Sequence, residues 1–419
     1  MAGIAIASGF GQFGAVAALA DVAETFGEVT GEVTTGATVA EQAGLSGTVL
    51  GIGLAVIRLA SLGALPLAAL ADRRGRTPVL LWSCAIGLAL VVLGALSPGY
   101  WVFVAVFGLS RPFLSAANAV AQVVAGEHTS SADRARAVAL VAAGYGVGAA
   151  LVALVRGAAG GAVGFRATFA LAAVPLLLVP VLGRWMAEPD RFRSASRAHR
   201  GDRRPDVLRH LDDEGRRRLA TMVAVAVAAA FVTGPANSFV FVYAEGVLDV
   251  SPSVTAAMFA AALPVGLAGL LLGRWGADRW GRRPTAALAL AGIAGSAALT
   301  YQGGVSNTIV GSLAAVLAGY AFAPVLAAMG NELFPTRVRA AAAGLLVGCG
   351  VLGAVAGLVA FGALADRLGG FDVAAFVVAA PALAATALFA RLPETRGLEL
   401  EQSSTTPVVV TPRRGTASS

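Results

Sequence analysis

Arg58 and Arg111 each stand in the middle of a long apolar run. A guanidinium in such surroundings is matched by a carboxylate or other oxyanion, which it can grip through two parallel hydrogen bonds. Arg111 also heads a stripe, with Ser115, Asn118 and Gln122 following at i+4, i+7 and i+11, so that one face of an otherwise apolar helix is polar. If these runs lie in a bilayer, a cation at that depth costs at least ~2.5 to 3.5 kcal/mol, and function is the default explanation. A structural alternative stands beside it: Arg58 can snorkel, bond backbone carbonyls, or reach Asp21 across a bundle. Proton carriage needs a carboxylate whose pKa burial has raised. The candidates are Asp21, Glu24 and Glu245, all near the ends of apolar runs.

Other chemistries are poorly served. His128, His199 and His210 fall in polar connections, where they form no set with a nucleophile or a metal ligand. The chain has no lysine, which excludes a phosphate-binding loop of the GxxxxGK[ST] type. Cys84 and Cys349 lie in separate runs and offer neither a disulfide framework nor a metal spacing. No cofactor, no metal and no enzymatic activity is expected.

The elements that must position these residues follow from composition. Of the 419 residues, 57% are hydrophobic and 13% charged, with a mean hydropathy of +0.77. Such a chain has too little polar surface for a water-soluble globule of this size. Runs of the ~20 residues needed to cross a bilayer fall near 2–22, 46–70, 78–96, 100–122, 137–158, 165–186, 219–242, 253–273, 284–302, 307–330, 341–364 and 371–391. They predict an all-α membrane protein of twelve transmembrane helices, six per half. The first run has no basic residue before it and is broken by Gly9, Gly11 and Gln12, unlike a cleaved signal peptide.

Arginine sets the expected orientation. With both termini cytoplasmic, the basic residues gather in cytoplasmic connections; only Arg156, Arg166 and Arg367 fall outside, and the first outer loop carries Glu24, Glu28, Glu32 and Glu41 without a base. The net charge of +7 follows from this bias and calls for no nucleic acid. The expected organisation is a six-helix half over 1–186, a cytoplasmic linker over 187–218, a second half over 219–397 and a disordered tail over 398–419.

The two halves share a motif. Asp72-Arg73-Arg74-Gly75-Arg76-Thr77-Pro78 recurs 206 residues later as Asp278-Arg279-Trp280-Gly281-Arg282-Arg283-Pro284. The same offset links Gly164-Phe165 with Gly370-Phe371, Pro175 with Pro381 and Glu188 with Glu394, which is too long a period for a solenoid. The polar stripe does not repeat: Arg58 corresponds to Pro264, Arg111 to Val316 or Leu317, and Asn118 to Ala323 or Pro324. Each motif sits at a helix end, where an acid can pair with guanidinium groups and cap a neighbouring helix. The glycines Gly344, Gly348, Gly353 and Gly357 of the eleventh run suit close helix packing.

Twelve spans in two repeats, with DRxGR after spans 2 and 8, resemble the major facilitator superfamily of secondary transporters. Glu332-Leu333-Phe334-Pro335-Thr336-Arg337-Val338-Arg339 and Pro393-Glu394-Thr395-Arg396-Gly397 resemble its sugar-porter and metabolite:proton-symporter branches. The chain departs at Ala68 and Arg274, where the family has glycine, and at Gly144-Tyr145-Gly146-Val147-Gly148, which lacks the Gly-Pro signature of drug antiporters. The resemblance implies a cytoplasmic gate of Asp72, Arg73, Arg76, Glu127 and Arg136 with Asp278, Arg279, Arg282, Glu332 and Arg339. Glu188 and Arg191, with Glu394 and Arg396, would join it. The alternative is that these are topogenic charges in solvent, each pair worth under ~1 kcal/mol. Because spans 1, 4, 7 and 10 line the cavity in this superfamily, the resemblance adds Gln12, Thr233, Asn237 and Tyr243 to Arg58 and the Arg111 stripe. It implies a monomeric, multi-pass plasma-membrane transporter of an organic anion or other metabolite, sugars included, by proton symport. Metabolite or multidrug efflux by proton antiport is the alternative.

Overall fold

The computed structural model describes residues 1–27, 43–129, 133–158, 164–186 and 211–396. Each of the twelve predicted runs is helical, as expected of backbone that must satisfy its own hydrogen bonds in hydrocarbon. The first is a pair, α1 (Ala2–Ala17) and α2 (Leu19–Phe26), bent by 45°. The second is α3 (Gly47–Ala60), carried through the 3-10 turn Ser61–Gly63 into α4 (Ala64–Arg74). Then come α5 (Arg76–Gly94), α6 (Tyr100–His128), α7 (Arg134–Ala158), α8 (Phe165–Ala170) and α9 (Ala173–Arg184). The second half holds α10 (Asp213–Ser238), α11 (Pro252–Arg279), α12 (Arg282–Thr300), α13 (Val305–Leu333), α14 (Thr336–Leu368) and α15 (Phe371–Ala385). Among the described residues there is no strand.

Among the described residues, ten of these helices are long and apolar enough to cross a membrane by length and composition, or eleven with the bent α1–α2 pair counted as one span, which is consistent with twelve. The remaining one is α12, a 19-residue helix whose hydropathy is lowered by Arg282, Arg283 and its Gly, Ser and Thr residues. The first helix of the second half begins before residue 219. Asp212 caps α10 by accepting from Gly215 N at 2.8 Å, and Asp213 and Glu214 complement the helix dipole in its first turn, so the helix starts six residues early. The rest of the expected linker and the tail lie outside the described residues.

The 206-residue repeat recurs in the packing. Helix α1 packs on α7 as α10 does on α14, and α5 on α6 as α12 does on α13. The halves meet through a second symmetric set, α3 against α14 and α11 against α7. Glycine makes these approaches possible. At Gly9 and Gly148 an added Cβ would strike the carbonyls of Tyr145 and Ile6; at Gly353 and Gly357 it would strike those of Val227 and Phe231. Across the halves, Gly51 and Gly362 lie on the carbonyls of Leu358 and Gly47, and Gly157 lies on that of Pro252. Gly344 and Gly348 meet nothing within 4 Å, so only two of the four α14 glycines named above serve contact.

The motif glycines have a different reason. Gly75 and Gly281 adopt φ of 109° and 105°, a conformation that L side chains rarely take, and each turns the chain sharply from one helix into the next. Gly357→Val is expected to cost about 1 to 3 kcal/mol through overpacking against Phe231. Gly344→Val, with the same helix-propensity change but open space, should cost well under half of that; thermal unfolding of the two variants in detergent checks the difference.

Candidate functional site

The predicted polar stripe of α6 faces α1, and one glutamine organises it. Gln12 is buried; its Nε2 donates to Ser8 Oγ at 2.9 Å, and Ser8 Oγ donates to the Leu114 carbonyl at 2.8 Å. Ser115 Oγ donates to Gln12 Oε1 at 3.2 Å, and Arg111 donates from a terminal nitrogen to the Gln12 carbonyl at 3.2 Å. Gln12, Arg111 and Ser115 are thus brought together on two helices of one half.

What surrounds them is unsatisfied. The Nε atoms of Arg58 and Arg111 and the Oδ1 atom of Asn118 are buried without a hydrogen-bond partner, and neither arginine forms an ion pair among the described residues. Arg58 lies within electrostatic reach of Arg111, and Tyr145 of α7 is close to it. Tyr320, an exposed residue of α13 in the other half, is in turn coupled to Tyr145 and rests against Gly266. Two like charges in a low-dielectric setting repel, and an anion between them converts that repulsion into attraction.

The remaining cavity candidates are spread out. Gln122 is half-buried further along α6, and Asn237 is exposed on α10, donating to the Thr233 carbonyl at 3.0 Å. Tyr243 sits in a π-helical turn, Val242–Val247, where its hydroxyl accepts from Gly303 N at 2.8 Å and its ring packs on Tyr301 and Phe371. It belongs to an aromatic core within the second half rather than to the Arg58–Arg111 group.

At the arginine-rich end the two motifs build matching clusters. Arg76 pairs with Glu127 and, at 3.3 Å, with Asp72; Arg282 pairs with Glu332 at 3.1 Å and with Asp278 at 3.8 Å. Glu394 spans the Gly281 turn and accepts from the backbone N–H groups of Arg282 and Arg283 at 2.8 and 3.1 Å, a carboxylate capping α12 from another segment. Thr395 Oγ1 donates to Glu332, and Arg396 donates to the Arg279 carbonyl at 2.7 Å. Arg339 donates to the Phe334 carbonyl at 3.3 Å at the start of its own helix, while Arg73, Arg136 and Arg279 are exposed. Each of these pairs joins residues of one half. Glu188 and Arg191 lie outside the described residues.

Charges join the halves at the opposite end, through an arginine that the charge bias assigned to the outer side. Arg156, its side chain 3% exposed, donates to Asp21 of α2 at 2.7 and 2.5 Å and to Glu245 of the second half at 2.7 and 2.5 Å. Thr255 Oγ1 of α11 donates to the same Glu245 at 2.5 Å. Glu24 is exposed and is not among these partners. Helix α7 ends at Ala158, where the predicted fifth run ends, so Arg156 lies in its last turn, and the acids packed around it are what bury it. The clue available in the sequence was one base at the end of the fifth run, at the same depth as acids at the ends of the first and seventh.

One guanidinium against two carboxylates, all nearly dry, closes this end. At the arginine-rich end the pairs named above each stay within one half, and Asp72 and Asp278 remain 62% and 65% exposed. The interior arginines thus lie between the Arg156 cluster and the two motif clusters.

Comparison with known proteins agrees with this architecture. The chain superposes on the inward-open conformation of the xylose transporter XylE from E. coli with a TM-score of 0.73 and 18% identity, over 96% of this chain and 97% of that one. It superposes on a bacterial homologue of the human lysosomal transporter Spinster, in an inward-facing and occupied conformation, with a TM-score of 0.71 and 15% identity, over 92% and 94%. A D-xylose–proton symporter structure gives 0.68 and 18%, over 94% and 98%. No curated protein sequence matches significantly. The model of the Major Facilitator Superfamily matches residues 1–320 and 247–415. By that match, carried on a fold of repeated helices around a polar centre, the chain belongs to the Major Facilitator Superfamily and is a multi-pass membrane transporter, not an enzyme.

Proposed function

We propose that the protein moves a small organic anion, in the first instance a carboxylate, by alternating access and in symport with protons. The observation that carries this reading is a pair of interior arginines, Arg58 and Arg111, whose buried Nε atoms have no hydrogen-bond partner among the described residues. Gln12 supports the same role, because its backbone carbonyl holds Arg111 through one terminal nitrogen and leaves the rest of the donor fork free, while Ser115 steadies the Gln12 side chain. A neutral sugar, the cargo named for two of the similar folds, has no charge to offset two such groups. A cationic drug would add a third positive charge, which weighs against multidrug efflux.

The arginine-rich end, with both termini, is taken as cytoplasmic and the membrane as the plasma membrane, following the arginine bias. The protein then stands closed toward the outside and open toward the cytoplasm, acting as a monomer. In that state the repeated clusters of Asp72, Arg76 and Glu127 and of Asp278, Arg282 and Glu332 are the released parts of a cytoplasmic gate.

Coupling to protons follows from charge. Bringing an anion into a cell that is negative inside costs about 2.3 kcal/mol per charge per 100 mV, and a proton carried alongside removes that cost. The Asp21–Arg156–Glu245 cluster has one carboxylate more than it has cations, and Glu245 is where the proposed coupling is tested.

Two outcomes are expected. In proteoliposome counterflow with a panel of mono- and dicarboxylates, sugars and cationic drugs, only the anions exchange, and Arg111→Gln weakens that exchange by about 10- to 100-fold, the value of a charge-assisted contact. Counterflow of sugars alone would remove the anion reading. Glu245→Gln is expected to retain counterflow, which needs no net proton movement, while losing substrate-driven alkalinisation of the medium followed with a pH electrode. Unaltered alkalinisation would place the proton elsewhere.

A further inference from the structure

The geometry points to Asp366 as a second outer gate residue, the partner of the Arg156 cluster on the other side of the bundle. Asp366 ends α14 of the second half, and its carboxylate faces the start of α3 in the first half. One oxygen accepts from Gly47 N at 2.8 Å; the other accepts from Thr48 N at 2.8 Å and from Thr48 Oγ1 at 2.5 Å. The contact therefore uses the first two backbone donors of α3 and one hydroxyl, and it places a negative charge on the positive end of a helix of the other half.

Its position gives it a function. The halves touch along two symmetric helix pairs, α3 with α14 and α11 with α7. At the outer end of the α11–α7 pair, Glu245 holds Arg156 of α7 and Thr255 of α11. At the outer end of the α3–α14 pair, Asp366 holds the amino terminus of α3. Each pair thus carries one polar latch, and in both the carboxylate comes from the second half and the gripped charge or dipole from the first. Beneath Asp366, Gly47, Gly51 and Gly362 let the backbones meet. That contact is unspecific about when it forms, whereas the carboxylate adds attraction only when the outer side is shut. To open outward, both latches must part, so Asp366 sets the balance between outward- and inward-open states.

The reading rests on alternating access and not on the anion substrate, so it is measured without substrate. In a background with Cys84 and Cys349 replaced by serine, spin labels at Pro98→Cys and Ser306→Cys, two exposed outer-end positions in opposite halves, report the outer separation by double electron–electron resonance in proteoliposomes. Asp366→Asn is expected to raise the ratio of outward-open to inward-open molecules about tenfold, as loss of one charge-assisted contact set would. Asp366→Glu, whose carboxylate still reaches α3, keeps the parental distribution. An unchanged distribution in Asp366→Asn overturns the proposal, as does an equal shift in Asp366→Glu. Should Asp366→Asn fail to reach the membrane folded, Thr48→Val removes one contact of the three; a smaller shift in the same direction is expected, and none overturns the proposal.

Discussion

A guanidinium removed from water must be answered by oxygen atoms or it destabilises whatever holds it. Three arginines inside this bundle show three degrees of answer. Arg156 has two carboxylates and four short contacts. Arg111 has a single backbone carbonyl at 3.2 Å. Arg58 has a buried Nε with no partner, and a second cation as its neighbour. Full satisfaction suits a residue that binds the two halves together. Incomplete satisfaction suits one that waits for a ligand, because any oxygen supplied by the protein would compete with the ligand's own.

The two kinds of contact between the halves act differently. Glycine-on-carbonyl packing along α3–α14 and α7–α11 depends on shape alone, and it tolerates rocking because small residues present no interlocking side chains. Carboxylate contacts act over a few ångströms and are lost together when the ends separate. A bundle with only the first kind would close with little preference. Adding Glu245 and Asp366 at one end biases it, and the same logic applies in mirror image to the acids of the repeated motif at the other end.

Much of this was legible in the amino-acid order, and the reasons for the rest are physical. Helical runs, the duplication and the central arginines are local or periodic signals, so they could be read directly. The Gly75 and Gly281 turns were marked by the motif itself. The α6 stripe was readable, but Gln12 came in only through the family resemblance, and its contacts with Ser115 and Arg111 depend on how α1 lies against α6. Arg156 was missed because a residue at a helix end looks solvated until the depth of its neighbours is known. Asp366 gave no signal, since its partners are mostly backbone N–H groups, which every sequence has. Tyr243 was misleading for the opposite reason: a tyrosine near a polar span end suits a cavity or an aromatic core equally, and only the positions of Tyr301 and Phe371 decide.

The repeated motif shows why duplication and asymmetry are both needed. Within each copy the arginine is largely buried, at 17% and 19% side-chain exposure for Arg76 and Arg282, while the first acid is left largely in solvent. A buried arginine tethered to Glu127 or Glu332 is a fixed donor belonging to its own half. The exposed Asp72 and Asp278 are held only by i,i+4 contacts of modest strength, and under the proposed cycle they are free to meet the amino-terminal end of a helix from the opposing half. In the proposed cycle both copies work alike, so that the end seals on either side of the bundle. The proposed anion site is different, because a second Arg58 and Arg111 in the facing half would double the positive charge around a single ligand.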